Sequence, residues 1–156
     1  MEYHTSKMEY YLNNPKLFYV KQDVHENEWA IQELIHNLNN ENIPVPEIIE
    51  YNNKSKILVM KRIGGNTLSH NYGEKATDIP DELFKQVVTI VRNLVLNGIE
   101  YPDLTGYNFV EDANGKVWII DFGHAKIEKN NCINILKNIH IQNIFNGIKT
   151  WNPDFR

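Results

Sequence analysis

The chain has 156 residues, 42% of them hydrophobic, with 16 basic against 20 acidic side chains and a net charge of -4. That apolar content suffices for a core in one compact unit, or in two small lobes sharing a cleft. The acidic balance without any basic run excludes a duplex nucleic-acid surface, and no apolar stretch reaches the length of a membrane span.

The N-terminus, Met1-Glu-Tyr-His-Thr-Ser-Lys-Met8, lacks the apolar core of a signal peptide, so the chain reads as soluble, intracellular and cytoplasmic. Residues 8–22 read as two strands around the turn-forming Asn13-Asn14-Pro15, the second ending in Tyr19-Val20-Lys21. Over residues 25–39, Ile31, Leu34, Ile35 and Leu38 recur at i, i+3, i+4 and i+7, which predicts a helix with these as its buried stripe. At about 100° per residue Glu28 falls at the edge of that stripe and Glu33 on nearly the opposite side, so of the two acids Glu28 is the one turned toward the buried face. Ile43-Pro-Val-Pro46 forces an extended passage, and the strands Glu47–Tyr51 and Lys56–Lys61 turn through Asn52-Asn53-Lys54-Ser55.

Residues 66–79 are polar and predict loop or a short irregular helix. Pro80-Asp-Glu82 opens the strongest helix, with a broad apolar face from Leu83 to Val95, and Gly98 is placed to stop it. Next, Phe109–Glu111 and Lys116–Ile120 are short β-branched and aromatic runs joined by Asp112-Ala-Asn-Gly115, which predicts a hairpin. The Ile-rich stretch from Cys132 to Phe145 predicts one last helix ending at Gly147, with Cys132 as a small core residue. Trp151-Asn-Pro-Asp-Phe-Arg156 carries two large aromatics and a proline, so the tail is expected to dock on the body.

Asp103-Leu104, with Asn108 five residues after the Asp, followed across the hairpin by Asp121-Phe122-Gly123, resembles the active site of the protein kinase superfamily. The helix, Pro-x-Pro passage and hairpin before it are similar to the small lobe of aminoglycoside phosphotransferases. The resemblance covers residues 8–127 and implies an α+β, reduced two-lobe protein kinase-like fold. Its N-lobe, about residues 1–63, would hold a small antiparallel sheet plus one helix. A hinge at about 60–66 would lead to a mainly helical C-lobe, about 67–156, carrying the catalytic hairpin, all within a single domain.

The same resemblance implies ATP and Mg2+. Asp103 would accept the proton of the attacking hydroxyl, and Asn108 and Asp121 would hold magnesium. Lys21 would pair with the phosphates, fixed by Glu28. Tyr19, the hinge residues Met60, Lys61 and Ile63, and Val110 and Ile120 on the hairpin would border the adenine. The acceptor would be a protein Ser/Thr hydroxyl ahead of a small-molecule alcohol, with no nucleic-acid or membrane partner. The chain departs from the family pattern in having no glycine before Gly64, hence no Gly-rich phosphate loop, and in carrying Tyr101-Pro102 where a His and an Arg usually precede the catalytic Asp. Thr105 stands where many protein kinases have a Lys, with Lys126 or His124 as the candidate replacement charge. These departures support an alternative, a pseudokinase acting as a nucleotide- or partner-binding module.

Overall fold

The computed structural model describes residues 6–128 and 131–155; residues 1–5, read above as lacking a signal core, lie outside it. The chain begins with helix α1 (Ser6–Leu12) and strand β1 (Phe18–Lys21). The first of the two expected strands is therefore a helix. The reason is its spacing: Met8 and Tyr11, three apart, share one helical face and are buried against Ile57 and Val59, whereas a strand would split them between two faces.

Helix α2 spans Glu26–Asn37, and strands β2 (Ile48–Asn52) and β3 (Ile57–Lys61) follow it. The three strands form an antiparallel sheet in the order β1-β3-β2, with Tyr19 opposite Met60 and Lys21 opposite Leu58. Side chains alternate between the faces of a sheet. This register therefore gives Phe18, Val20, Ile57 and Val59 to α1, and turns Tyr19, Lys21, Leu58 and Met60 to the other face. The α2 stripe is shifted from the expected one. Its buried residues are Glu28, Ile31, Gln32 and Ile35, while Leu34 and Leu38 are 39% and 41% exposed. A polar side chain can occupy the stripe because Gln32 is bonded there, donating from Nε2 to the Pro46 carbonyl at 3.0 Å.

The crossing from this sheet passes through Gly65, whose φ of +133° favours glycine and whose absent Cβ would stand 2.0 Å from the Glu111 carbonyl oxygen. Residues 66–79, expected to be irregular, form strand β4 (Asn66–Thr67), helix α3 (Leu68–Tyr72) and a 3-10 turn (Ala76–Asp78). Helix α4 (Asp81–Leu96) follows, capped by Pro80, and buries Leu83, Phe84, Val87, Val88, Ile90, Val91, Leu94 and Val95. Each such side chain contributes about 1.5–3 kcal/mol when fully buried, which makes α4 the axis of the main core.

Strand β5 (Ile99–Glu100) leads to residues 101–108, and strands β6 (Phe109–Glu111) and β7 (Val117–Ile119) form the expected hairpin, with β4 on its outer edge. The turn is held by Asp112, whose Oδ1 accepts from the Asn114 and Lys116 N–H groups. Strand β8 (Lys126–Ile127) returns to pair antiparallel with β5. The Ile-rich stretch is not one helix but two, α5 (Cys132–Ile135) and α6 (Ile139–Phe145). Asn138 divides them, because its Oδ1 caps α6 by accepting from the His140 and Ile141 N–H groups. Cys132 packs half-buried on the main core, and the tail docks through Trp151, which stacks on Phe109 and leans on Phe84. No helix among the described residues is long and apolar enough to cross a membrane.

Candidate active site

Lys21 closes β1, Glu28 stands in the first turns of α2, and Asp121 follows β7. The fold brings the three together: Lys21 Nζ donates to Glu28 Oε2 at 2.5 Å and to Asp121 Oδ1 at 3.3 Å. Burial works to lower the Lys21 pKa. The hydrogen bond to Glu28 and the charge of Asp121 outweigh it, so the ammonium is held above its ordinary value. Glu28 is 8% exposed, as a carboxylate can be only when paired.

Asp121 has φ +65°, a left-handed conformation that costs a non-glycine residue energy. Its Oδ1 accepts from the Gly123 N–H at 3.2 Å, and a Cβ on Gly123 would stand 3.4 Å from that oxygen and from Glu28 Oε1, in ordinary van der Waals contact. The Asp-Phe-Gly turn thus lies beside the ion pair. Phe122 is fully buried and meets Tyr101 edge-on at 5.4 Å, while the Tyr101 hydroxyl donates to the Ile120 carbonyl at 2.6 Å. Tyr101, standing at the family's usual His position, ties the loop before Asp103 to the residue before Asp121. Its pKa is pushed well up, by burial first and then by the neighbouring carboxylates.

The hairpin draws Asn108 and Asp121 together at its open end, where the Ile120 N–H donates to the Asn108 carbonyl at 3.0 Å. Asn108 is buried, and its Nδ2 donates to the Asp103 carbonyl at 2.9 Å, which leaves its side-chain oxygen as the group available to a cation. Asp103 Oδ2 lies 3.4 Å from His124 Nδ1. Burial raises the Asp103 pKa, the His124 contact opposes it, and the Asp121 charge adds to the rise. An aspartate carboxylate with an asparagine carbonyl oxygen is a donor set that suits magnesium, which takes few protein oxygens and completes its shell with water and phosphate.

A cleft of about 410 Å³ opens beside this cluster. Lys21, Glu28 and Asp121 border it, as do Tyr19, Met60, Lys61, Ile63, Val110 and Ile120, the residues expected around adenine. Asp103 and Asn108 stand outside its lining. Gln32, Pro46, Thr67 and His70 also border it and were missed by sequence reasoning. Gln32 lies one turn after Glu28, a signal hidden by its polarity, while Thr67 and His70 fall in the polar stretch that carried no pattern. Two features narrow what the hinge can offer a base. The Lys61 and Arg62 N–H groups already donate to the Glu47 and Leu17 carbonyls, both at 2.9 Å. The Arg62 guanidinium covers the Tyr19 ring at 5.1 Å. Thr105 is buried and its Oγ1 accepts from the Tyr107 N–H, and Lys126 is exposed on β8, so of the two candidates His124 is the one that reaches Asp103.

Residues 3–152 match the RIO domain. The chain belongs to the RIO family. RIO domains are an atypical protein kinase family, in agreement with the kinase-like resemblance of the motifs above. The solved structure of the Cydia pomonella granulovirus kinase PK-1 is similar in fold, with a TM-score of 0.55 at 18% identity over 70% of this chain. This RIO domain covers 43% of that kinase, less than half its length. Among curated proteins, none matches the sequence. The fold is thus α+β and kinase-like, reduced in size, with small antiparallel sheets and the β6–β7 hairpin carrying the motif residues.

Proposed function

We propose that this RIO domain is a minimal Mg-dependent ATP phosphotransferase acting on a hydroxyl, a protein Ser or Thr ahead of a small-molecule alcohol. The observation that carries the reading is the meeting of Lys21, Glu28 and Asp121, from three separate elements, at one end of a cleft, with Asp103 and Asn108 beside it. Phosphoryl transfer needs positioning and charge neutralisation more than covalent help, so a few fixed side chains suffice.

In this reading Tyr19, Met60, Lys61, Ile63, Val110 and Ile120 border the adenine, and Lys21, held by Glu28, pairs with the α- and β-phosphates. Asp121 and Asn108 would hold magnesium, which would supply charge neutralisation on the phosphates when bound. Asp103 orients the acceptor hydroxyl and takes its proton as the new oxygen–phosphorus bond forms and the bond to the ADP oxygen breaks. His124 stabilises the Asp103 carboxylate before transfer. The lobes divide at a hinge over about residues 60–66, within one domain, and the protein acts in the cytoplasm.

A second reading, a nucleotide- or partner-binding pseudokinase, is favoured by the committed hinge N–H groups and the Arg62 cover on Tyr19. A thermal-shift titration with ATP, with and without magnesium, followed by transfer from γ-labelled ATP, separates the two. Magnesium-dependent stabilisation with label transfer lost in Asp103→Asn supports the enzyme. Stabilisation without transfer to any acceptor or to water leaves the pseudokinase.

A further inference from the structure

We infer that Asn152, in the C-terminal tail, is a positioning residue that holds Asp103 in place from both sides. The inference rests on the phosphotransfer reading and adds to it a residue that none of the motifs contains. Residues 101–108 belong to neither helix nor strand. Within them the Leu104 N–H donates to the Pro102 carbonyl and the Thr105 N–H to the Asp103 carbonyl, both two residues back. Such three-residue bends fix the course of the chain only locally, so where the loop stands in the fold is set by what else it bonds.

Further bonds reach three successive carbonyls, one from Asn108 at the end of the loop and two from outside it. Asn152 Nδ2 donates to Pro102 O at 2.8 Å, Asn108 Nδ2 donates to Asp103 O at 2.9 Å, and the Asn152 backbone N–H donates to Leu104 O at 2.8 Å. Two of the three donors are thus one residue, 50 positions away from Pro102. Asn152 is 2% exposed and its amide is committed at both ends, since its Oδ1 accepts from the Asp154 N–H at 3.0 Å. It cannot drift, because the preceding Trp151 stacks on Phe109, the residue after Asn108, with ring centres 5.8 Å apart. The tail also touches the base by a second route. Phe155 meets the His124 ring edge-on at 5.1 Å, and His124 Nδ1 contacts Asp103 Oδ2.

An asparagine is needed because the site asks one side chain to donate to a carbonyl and accept from an N–H at once. Alanine removes both bonds and leaves the loop to hold its own bends. The bond from the Asn152 main chain survives any substitution, so the variant loosens the loop without detaching it.

The test uses the full chain and compares Asn152→Ala with Lys149→Met. Lys149 secures the same tail by donating to the Ile79 carbonyl and pairing with Asp81, without touching the catalytic loop. Hydrogen–deuterium exchange over residues 101–110, the ATP thermal shift and the steady-state rate are measured on both. Asn152→Ala is expected to speed exchange in that segment about tenfold. It should lower kcat about tenfold or more with the KM for ATP within about twofold, because displacing a reacting group by even ~1 Å is costly. Lys149→Met should lower the melting temperature but leave exchange in the loop and kcat near wild type. Equal effects of the two variants, or a raised KM with kcat unchanged, would overturn the positioning role. A wild-type protein that turns over no ATP overturns the phosphotransfer reading itself, while the exchange comparison still decides whether Asn152 holds the loop. If the alanine variant does not fold, Asn152→Ser, which keeps the main-chain bond and loses the reach to Pro102, carries the same comparison.

Discussion

Replacing Glu28 by alanine tests the ion pair at the centre of the site. Removing one partner of a fully buried pair costs about 3–5 kcal/mol, because the other charge is left without compensation. Here the cost is smaller, since the Lys21 side chain is 25% exposed and keeps Asp121 at 3.3 Å. The cost falls just below that range, about 2–3 kcal/mol, which for a domain of this size lowers the melting temperature by about 4–12 °C. The Lys21 pKa is raised in the folded protein, so the pair's contribution is complete below the ordinary lysine value and is lost as pH rises through the folded one. The deficit of the variant should therefore be constant through neutral pH and shrink only in strong alkali. The assay is thermal or urea unfolding from pH 6 to 11, with Glu33→Ala as the comparison on the other side of α2. Glu33→Ala should stay within about 0.5 kcal/mol of wild type. If it proves the more damaging of the two, or if the Glu28 deficit disappears at neutral pH, the pairing of Glu28 with Lys21 is not what stabilises this site.

Asp103→Asn should abolish label transfer while keeping the ATP-induced thermal shift, whereas Asp121→Asn should lose the magnesium-dependent part of that shift; equal residual activity in both would refute the division of roles. Because the folded pKa of Asp103 is raised, ionising it opposes folding, so Asp103→Asn should leave the melting temperature at pH 7 unchanged or slightly higher. As a base, Asp103 should place the acid limb of the rate profile above the range of a free aspartate. His124→Ala, by removing a contact that lowers that pKa, should move the limb further up, and a limb moving down would contradict it. Gly65→Ala should cost at least about 2 kcal/mol, because strained backbone and a clash coincide there. Gly115→Ala, also at positive φ but with no atom near its Cβ, should cost only about 1 kcal/mol; comparable melting temperatures for the two would disprove the close approach of Gly65 to Glu111.

The β6–β7 hairpin was legible because its turn residues and β-branched runs are adjacent in the chain, and α4 because its apolar period persists over many residues. Once the kinase resemblance singled out Lys21, the choice of Glu28 over Glu33 as its partner was legible from angle, since a helix fixes which side each residue faces. Features decided by distant partners were hidden. Met8 and Tyr11 reveal α1 only once β3 is there to receive them, and Gln32 reads as a surface residue until the Pro46 carbonyl gives it a bond. Asn138 divides the last helical stretch through a side-chain cap that competes with an otherwise continuous apolar period. Asn152 had no local signal at all, because the Pro102 carbonyl that its side chain bonds lies 50 positions away in the chain.

The pairing of β8 with β5 keeps the stretch after Asp121-Phe122-Gly123 short. Lys126 is joined to Glu100 and Ile127 to Ile99, and the Glu128 N–H donates to the Gly98 carbonyl. Only His124 and Ala125 lie between Gly123 and that tether. At about 3.3 Å per residue, so short a span cannot swing aside to empty the site and swing back to restore it. On the phosphotransfer reading proposed above, output would follow how much of the protein is present, how much nucleotide surrounds it and what covers its surface, in the manner of a lamp without a switch that is dimmed only by shading it.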